Sequence, residues 1–384
     1  MLFVIDESLA NALDGESGSV KNSAIEAISL IAQAHREGNH LIYAERITLD
    51  KIMSYSSLFG PRTVRIYEKI LDNLPTQRSY FNAISRYIEV VADANVLEVR
   101  DERIKERCIK VIRLSSSYIR IPLVSKTKIL GENETDIKFY EKIAQTYLSW
   151  NRLGNIKLSY LSHGGGGDTT ATAYKTIQET KEQLCLCIAD SDREFPDDKE
   201  GVTAKKLIDI DVKFQSPLCK LLILDVREIE NLIPISIYKK AVCHKEQKET
   251  ITILEKLESS TIPNIRNARK YLDIKKGLKL WRFFHASSSK EFLAYWKSVL
   301  VELKIQFVCT LPTSEEQCNG DKDKCQCIAI NGLGSQILGE VIKALAEKIK
   351  RREEIVVCKS LEEEWKNIGE MIISWCCGSP HIST

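Results

Sequence analysis

Three apolar runs in this chain of 384 residues each end abruptly in carboxylates, and that pattern limits the fold more than any other. The first, Lys128-Ile-Leu-Gly-Glu132, continues through Asn-Glu-Thr to Asp136. The second is Cys187-Ile-Ala-Asp190-Ser-Asp192, and the third is Leu222-Ile-Leu-Asp-Val-Arg-Glu228-Ile-Glu230-Asn231. Short apolar runs bounded by turn residues read as buried strands, and open α/β sheets collect their chemistry at the carboxyl ends of such strands. The pattern therefore predicts an α/β protein that gathers acids from several strand ends.

The segments between these runs agree. Ile137, Phe139, Tyr140, Ile143, Ala144, Tyr147 and Leu148 form a helical stripe. Ile156 to Leu161 reads as a strand, Gly164 to Gly167 as a turn, Thr169 to Glu182 as a helix, and Leu184 to Ala189 and Leu221 to Leu224 as two more strands. Strands alternating with helices imply a mostly parallel sheet flanked by helices, expected over residues 118–235, with Ile119 to Leu130 extended. Residues 1–117 open with a strand at Leu2 to Ile5, a helix at Ala24 to His35 and a second strand at His40 to Ala44, an N-terminal α/β domain. Ile47 to Ile112 reads as mainly helical, with one further strand at Asn95 to Arg100. Residues 236–384 read as a mainly helical C-terminal region, its Lys/Glu runs being solvated helix faces.

Composition excludes several classes. No apolar stretch is long enough to span a bilayer, and the opening residues lack the basic flank and cleavage pattern of a leader. A net charge of +2 confines any basic groove to a local patch. Twelve scattered cysteines without a secreted-type framework read as reduced thiols, which places the chain in a cytoplasm.

Clustered carboxylates repel unless a cation or a positive partner neutralises them, and Mg²⁺ or Mn²⁺ favours oxygen ligands while leaving room for water and phosphate. Asp190 and Asp192 flank Ser191, so in an extended backbone their side chains share one face. Glu228 and Glu230 repeat the alternation. Asp136 falls in the first turn of a helix, where a negative charge suits the dipole.

In this order the acids resemble the Toprim domain of topoisomerases, bacterial-type primases and the overcoming-lysogenization-defect nucleases. The family pattern is a glutamate ending a first strand and an Asp-x-Asp pair ending a later one; here Glu132 matches the first, and Asp190 with Asp192 the second. Arg227-Glu228-Ile-Glu230-Asn231 is similar to the Glu-Asn segment of Toprim nucleases in bacterial defence. The likeness covers about a third of the chain and departs in two places: Gly131 precedes Glu132 instead of following it, and the second loop carries four glycines. It implies a Toprim-like domain at 118–235 whose catalytic residues are Glu132, Asp190, Asp192 and Glu230, whose metal ligands also include Asp136 and Glu228, and whose cofactor is Mg²⁺ or Mn²⁺. The implied activity is an endonuclease cutting DNA or RNA as the effector of an anti-phage system. No tyrosine sits in a topoisomerase-like context, and no primase machinery is visible. The glycine loop lacks the lysine of a nucleotide-binding P-loop, so ATP hydrolysis would come from a partner ATPase in an oligomer or complex. The competing class is a non-catalytic Toprim-like scaffold for a partner protein or nucleotide signal.

Secondary signals remain. Backbone amides of Gly165 and Gly166, with His163 and Lys128, are candidate phosphate contacts. Lys126, Arg193 and Arg227 could touch phosphates or balance local acids. Cys318, Cys325 and Cys327 could hold zinc, but they lack paired Cys-x-x-Cys spacing and reduced cysteines are favoured. Asp6, Asp50 and Asp101 loosely resemble the acids of a PIN-like nuclease domain, a partner-binding α/β domain being the plainer reading.

Overall fold

The computed structural model describes residues 1–16, 18–104, 106–166, 168–242, 244–285, 288–306 and 327–380. It is a mixed α/β protein, and its chain divides into two compact units. The first comprises Met1–Ile188, Lys206–Leu222 and Trp365–Thr384; the second comprises Ala189–Lys205 and Ile223–Glu364.

In the first unit, β1 (Leu2–Ile5), β2 (Leu41–Ala44), β3 (Arg86–Val91), β4 (Leu97–Ile104) and β5 (Arg107–Ser115) form a five-stranded sheet in the order β2-β1-β3-β5-β4. All neighbouring pairs run parallel except the edge pair β4 and β5. The helix Ser19–Arg36 buries Ala24, Ala27, Ile28, Ile31 and Ala32, residues at helical spacing that form its core face. The expectation of a mainly helical stretch from Ile47 to Ile112 with one strand at Asn95 to Arg100 is corrected here: β4 overlaps that strand, but β3 and β5 were expected as helix. Strand β4 is highly charged and extends beyond Arg100, its charges pairing across the sheet, Asp101 with Lys110 at 2.6 Å and Glu98 with Arg113 at 3.6 Å.

The second sheet of this unit contains β6 (Thr127–Gly131), β8 (Tyr160–Gly164), β9 (Cys185–Ala189) and β10 (Cys219–Ile223), in the order β10-β9-β6-β8; β7 (Lys157–Leu158) lies outside it. Strand β6 runs parallel to both β8 and β9. The extended run expected from Ile119 is shorter than predicted, because Pro122 supports a helical turn at Ile121–Val124 and the strand starts only at Thr127. The end of the chain is built into this unit. Cys377–Gly378 pairs with β7, Thr127 Oγ1 donates to the Trp375 carbonyl at 2.6 Å, and buried Trp365 meets Phe139 edge to face at 6.0 Å.

The second unit is mostly helical among its described residues, with helices Lys245–Ser259, Lys290–Glu302 and Ile337–Lys350 and one antiparallel pair, Gly277–Lys279 with Ile328–Asn331. No described helix is long and apolar enough to cross a membrane.

Candidate functional site

The first unit carries Glu132, half-buried, immediately after β6. The glycine turn after β8 folds back on that strand end: Gly165 N–H donates to the Gly131 carbonyl at 3.0 Å and Gly166 N–H to the Glu132 carbonyl at 2.7 Å. A Cβ at Gly165 would lie 2.1 Å from Thr170 Oγ1 and 2.6 Å from its Cα, so only glycine permits this approach. The two amides expected to face a phosphate are thus spent on holding the strand end that bears Glu132. His163 is exposed on the edge strand β8, opposite Leu130, and half-buried Lys128 lies opposite Leu161 and Cys185. Asn133 caps the helix Glu134–Trp150 by accepting from the Thr135 and Asp136 amides, and Asp136 accepts from Asn133 N–H at 3.1 Å. Asp136 is therefore a helix-capping residue in this structure.

The second unit gathers the other acids. Residues 190–192 run beside 226–227: Ser191 Oγ donates to the Val226 carbonyl at 2.6 Å, and Asp192 N–H to the Arg227 carbonyl at 2.9 Å. Asp190 is buried and Asp192 exposed, and Asp192 has φ +57°. The shared face expected of an extended Asp-Ser-Asp is broken by that left-handed turn.

Glu228 precedes the short turn Ile229–Leu232 and is fixed by Asn231, whose Oδ1 accepts Glu228 N–H at 2.9 Å. Asn231 Nδ2 donates to the Arg269 and Leu272 carbonyls at 2.6 and 2.9 Å, tying this turn to the segment that leads to Lys275. Lys275 Nζ lies 3.6 Å from Glu228 Oε2 and 3.4 Å from Glu230 Oε2. Both of those oxygens are buried and accept no hydrogen bond among the described residues. Burial works against the Lys275 charge, but Glu230, Glu228 and Asp190 more than reverse it and hold the ammonium above the usual lysine range. Burial, reinforced by Asp273 and Glu230, pushes the Glu228 carboxyl up to about 7 against the pull of Lys275 and Arg227. Three acids singled out from sequence, Asp190, Glu228 and Glu230, thus act on one half-buried ammonium.

Around them, Arg227 approaches Glu194 at 3.2 Å and Asp273 at 3.6 Å, Glu194 also takes both terminal nitrogens of Arg282, and Arg193 pairs with Asp225 at 2.8 Å. Arg193 and Arg227 therefore balance local acids, one of the two roles expected of them. Among the described residues no group of three or more His, Cys, Asp or Glu side chains is arranged to hold a metal ion. Cys318 and Cys325 lie outside the described residues, and Cys327 is half-buried. Asp6 caps a helix by accepting from Ser8 N–H at 2.9 Å, Asp50 pairs with Arg46 at 3.7 Å and Asp101 with Lys110, so each PIN-like candidate has its own local partner.

Sequence reasoning missed Lys275. Its only local signal is a Lys-Lys-Gly turn ahead of a short strand, 45 residues beyond Glu230, and nothing in that text points back to the acids. No protein-family model, curated protein or solved structure matches the chain.

Proposed function

We propose that this chain is a divalent-metal-dependent phosphodiesterase that cuts nucleic acid, with a Toprim-like site. The observation that supports it is the convergence of Asp190, Glu228 and Glu230 on one half-buried positive charge. Two of their oxygens are buried without a hydrogen bond. Hard oxygen donors left unsatisfied in this way suit Mg²⁺ or Mn²⁺ in type, and the charge neutralising them here is Lys275. Asp190, Glu228 and Glu230 would hold the ion; the resemblance adds Asp192 and Glu132 as catalytic acids. A bound ion would lower the pKa of a water and offset charge on a phosphate. Lys275 stays protonated and can neutralise a phosphate oxygen, while Asn231 fixes the backbone that presents both glutamates. By the same resemblance the protein serves antiviral defence beside a partner ATPase.

A second reading is favoured by the same lysine: the acids are a structural charge cluster in a non-catalytic scaffold, satisfied by Lys275 alone. The full chain should be tested on plasmid DNA and on RNA with Mg²⁺ or Mn²⁺, with and without a partner ATPase. Glu132→Ala and Asp190→Ala should each lower cleavage about a thousandfold with the melting temperature kept. Mn²⁺ should bind wild type by calorimetry and raise the melting temperature of Lys275→Met more than that of wild type. Cleavage of neither substrate, together with a Lys275→Met variant that no divalent ion stabilises, would establish the scaffold instead.

A further inference from the structure

The second unit contains a cavity of about 1040 Å³ lined in part by Thr252 and Lys256, Arg266 and Asn267, and Lys359 and Ser360. These residues come from the helices Lys245–Ser259, Pro263–Asn267 and Lys359–Cys376. Its other charges are already committed. Glu255 pairs with Lys239 at 2.5 Å, Glu258 with buried Arg269, and Lys270 with Asp225 and Glu364. Lys256, Arg266 and Lys359 are exposed, and none has a carboxylate within ion-pairing distance among the described residues. Lys359 also opens its helix, where the macrodipole disfavours a cation.

Three uncompensated cations around one concavity repel each other and gain by sharing an anion. Hydroxyl and amide side chains between them, Thr252, Ser360 and Asn267, supply neutral hydrogen-bond partners of the kind that orient a phosphorylated ligand. The volume is that of a small-molecule pocket, whereas a nucleic-acid strand needs a groove of basic residues that tracks its backbone.

We propose that this cavity binds a compact polyphosphate anion, free or as the phosphate chain of a nucleotide, at a site separate from the Asp190, Glu228 and Glu230 cluster. Binding is read by calorimetry on the full chain, with ATP and inorganic triphosphate as probes and EDTA present, so no cleavage assay enters. ATP should bind, and Lys256→Gln, Arg266→Gln and Lys359→Gln should each weaken it about tenfold, as expected for loss of one charge-assisted contact. The triple variant should abolish binding while keeping the wild-type melting temperature, since all three side chains are exposed. Raising salt should weaken binding in wild type and, with two cations left, weaken it less steeply in each single variant. A lack of binding by either probe, binding that survives in the triple variant, or binding of a single-stranded oligonucleotide that ATP cannot displace would each overturn the assignment.

Discussion

Glu89 in β3 and the pair Glu228 and Glu230 are buried carboxylates met by positive charge, but they are satisfied differently. Glu89 takes hydrogen bonds from Arg100 at 2.9 Å and from Arg113 at 3.0 Å, one to each oxygen. Glu228 and Glu230 share one lysine at 3.6 and 3.4 Å, and each keeps a buried oxygen without a hydrogen bond. Burial raises the Glu89 carboxyl too, although its arginines oppose the rise. A buried acid with two guanidinium partners is finished as a structural element, whereas two acids sharing a distant ammonium retain capacity for another cation or a proton. The first arrangement belongs to a sheet, the second to the site proposed above.

The pair of variants Glu230→Ala and Glu89→Ala should separate these roles with the largest effect. Removing Glu230 should lower cleavage about a thousandfold and leave stability nearly unchanged, because it also relieves repulsion with Glu228. Removing Glu89 strips a hydrogen-bonded partner from two arginines and should cost about 2 kcal/mol, with cleavage per folded molecule retained. Denaturant titration beside a cleavage assay reads both. A Glu230→Ala protein that loses as much stability as Glu89→Ala would dissolve the distinction.

Acid should test the first unit next, through groups other than Glu89. Burial pushes His35 down to about 4, partly opposed by its hydrogen bond with the His40 carbonyl, and burial followed by the Met1 ammonium drives His40 well below the ordinary histidine value. Because the folded value is depressed, the contribution of His35 is complete above the unfolded pKa near 6.5 and is lost as pH falls toward about 4, a total of roughly 3 kcal/mol. His40 acts in the same direction. Urea melts between pH 7 and pH 5 should show this loss, and His35→Gln should flatten the slope; an unchanged slope in that variant would assign the acid sensitivity to other groups.

The strands that bear the acids were readable because apolar runs such as Leu184 to Ala189 and Leu221 to Leu224 have no other way to bury every residue, and β9 and β10 fall within a residue or two of those runs. The helix Glu134–Trp150 was readable from its stripe, though not its Asn133 cap. Strand β4 was readable only in its first half, at Asn95 to Arg100, and β5 not at all, because the rest of this hairpin is held by cross-strand pairs such as Asp101 with Lys110, which local periodicity cannot register. Within the site, the acids at 190, 228 and 230 carried a local signature, but the charge they share did not. Lys275 is brought to them by the Asn231 bonds to the Arg269 and Leu272 carbonyls, a tertiary arrangement with no local spacing rule.

The smallest predicted effect lies at Asp192, and it asks whether the site tolerates strain that the Glu89 region does not carry. Asp192 holds φ +57°, and its side chain packs so closely on Gly201 that a Cβ there would fall 2.2 Å from Asp192 Oδ2. A left-handed backbone costs an aspartate about 1 kcal/mol, less than it costs most residues. Asp192→Gly should therefore gain a few tenths to about 1 kcal/mol in stability, since glycine's greater unfolded-state freedom offsets part of the relief. If the carboxylate is what the strain preserves, the same variant should lose cleavage, and Asp192→Asn, which keeps the turn and removes only the charge, should lose it equally. A glycine variant that is destabilised would show that contacts on Gly201 outweigh the strain, and an active Asp192→Asn would remove Asp192 from the catalytic set, leaving Asp190 as the acid of that strand end.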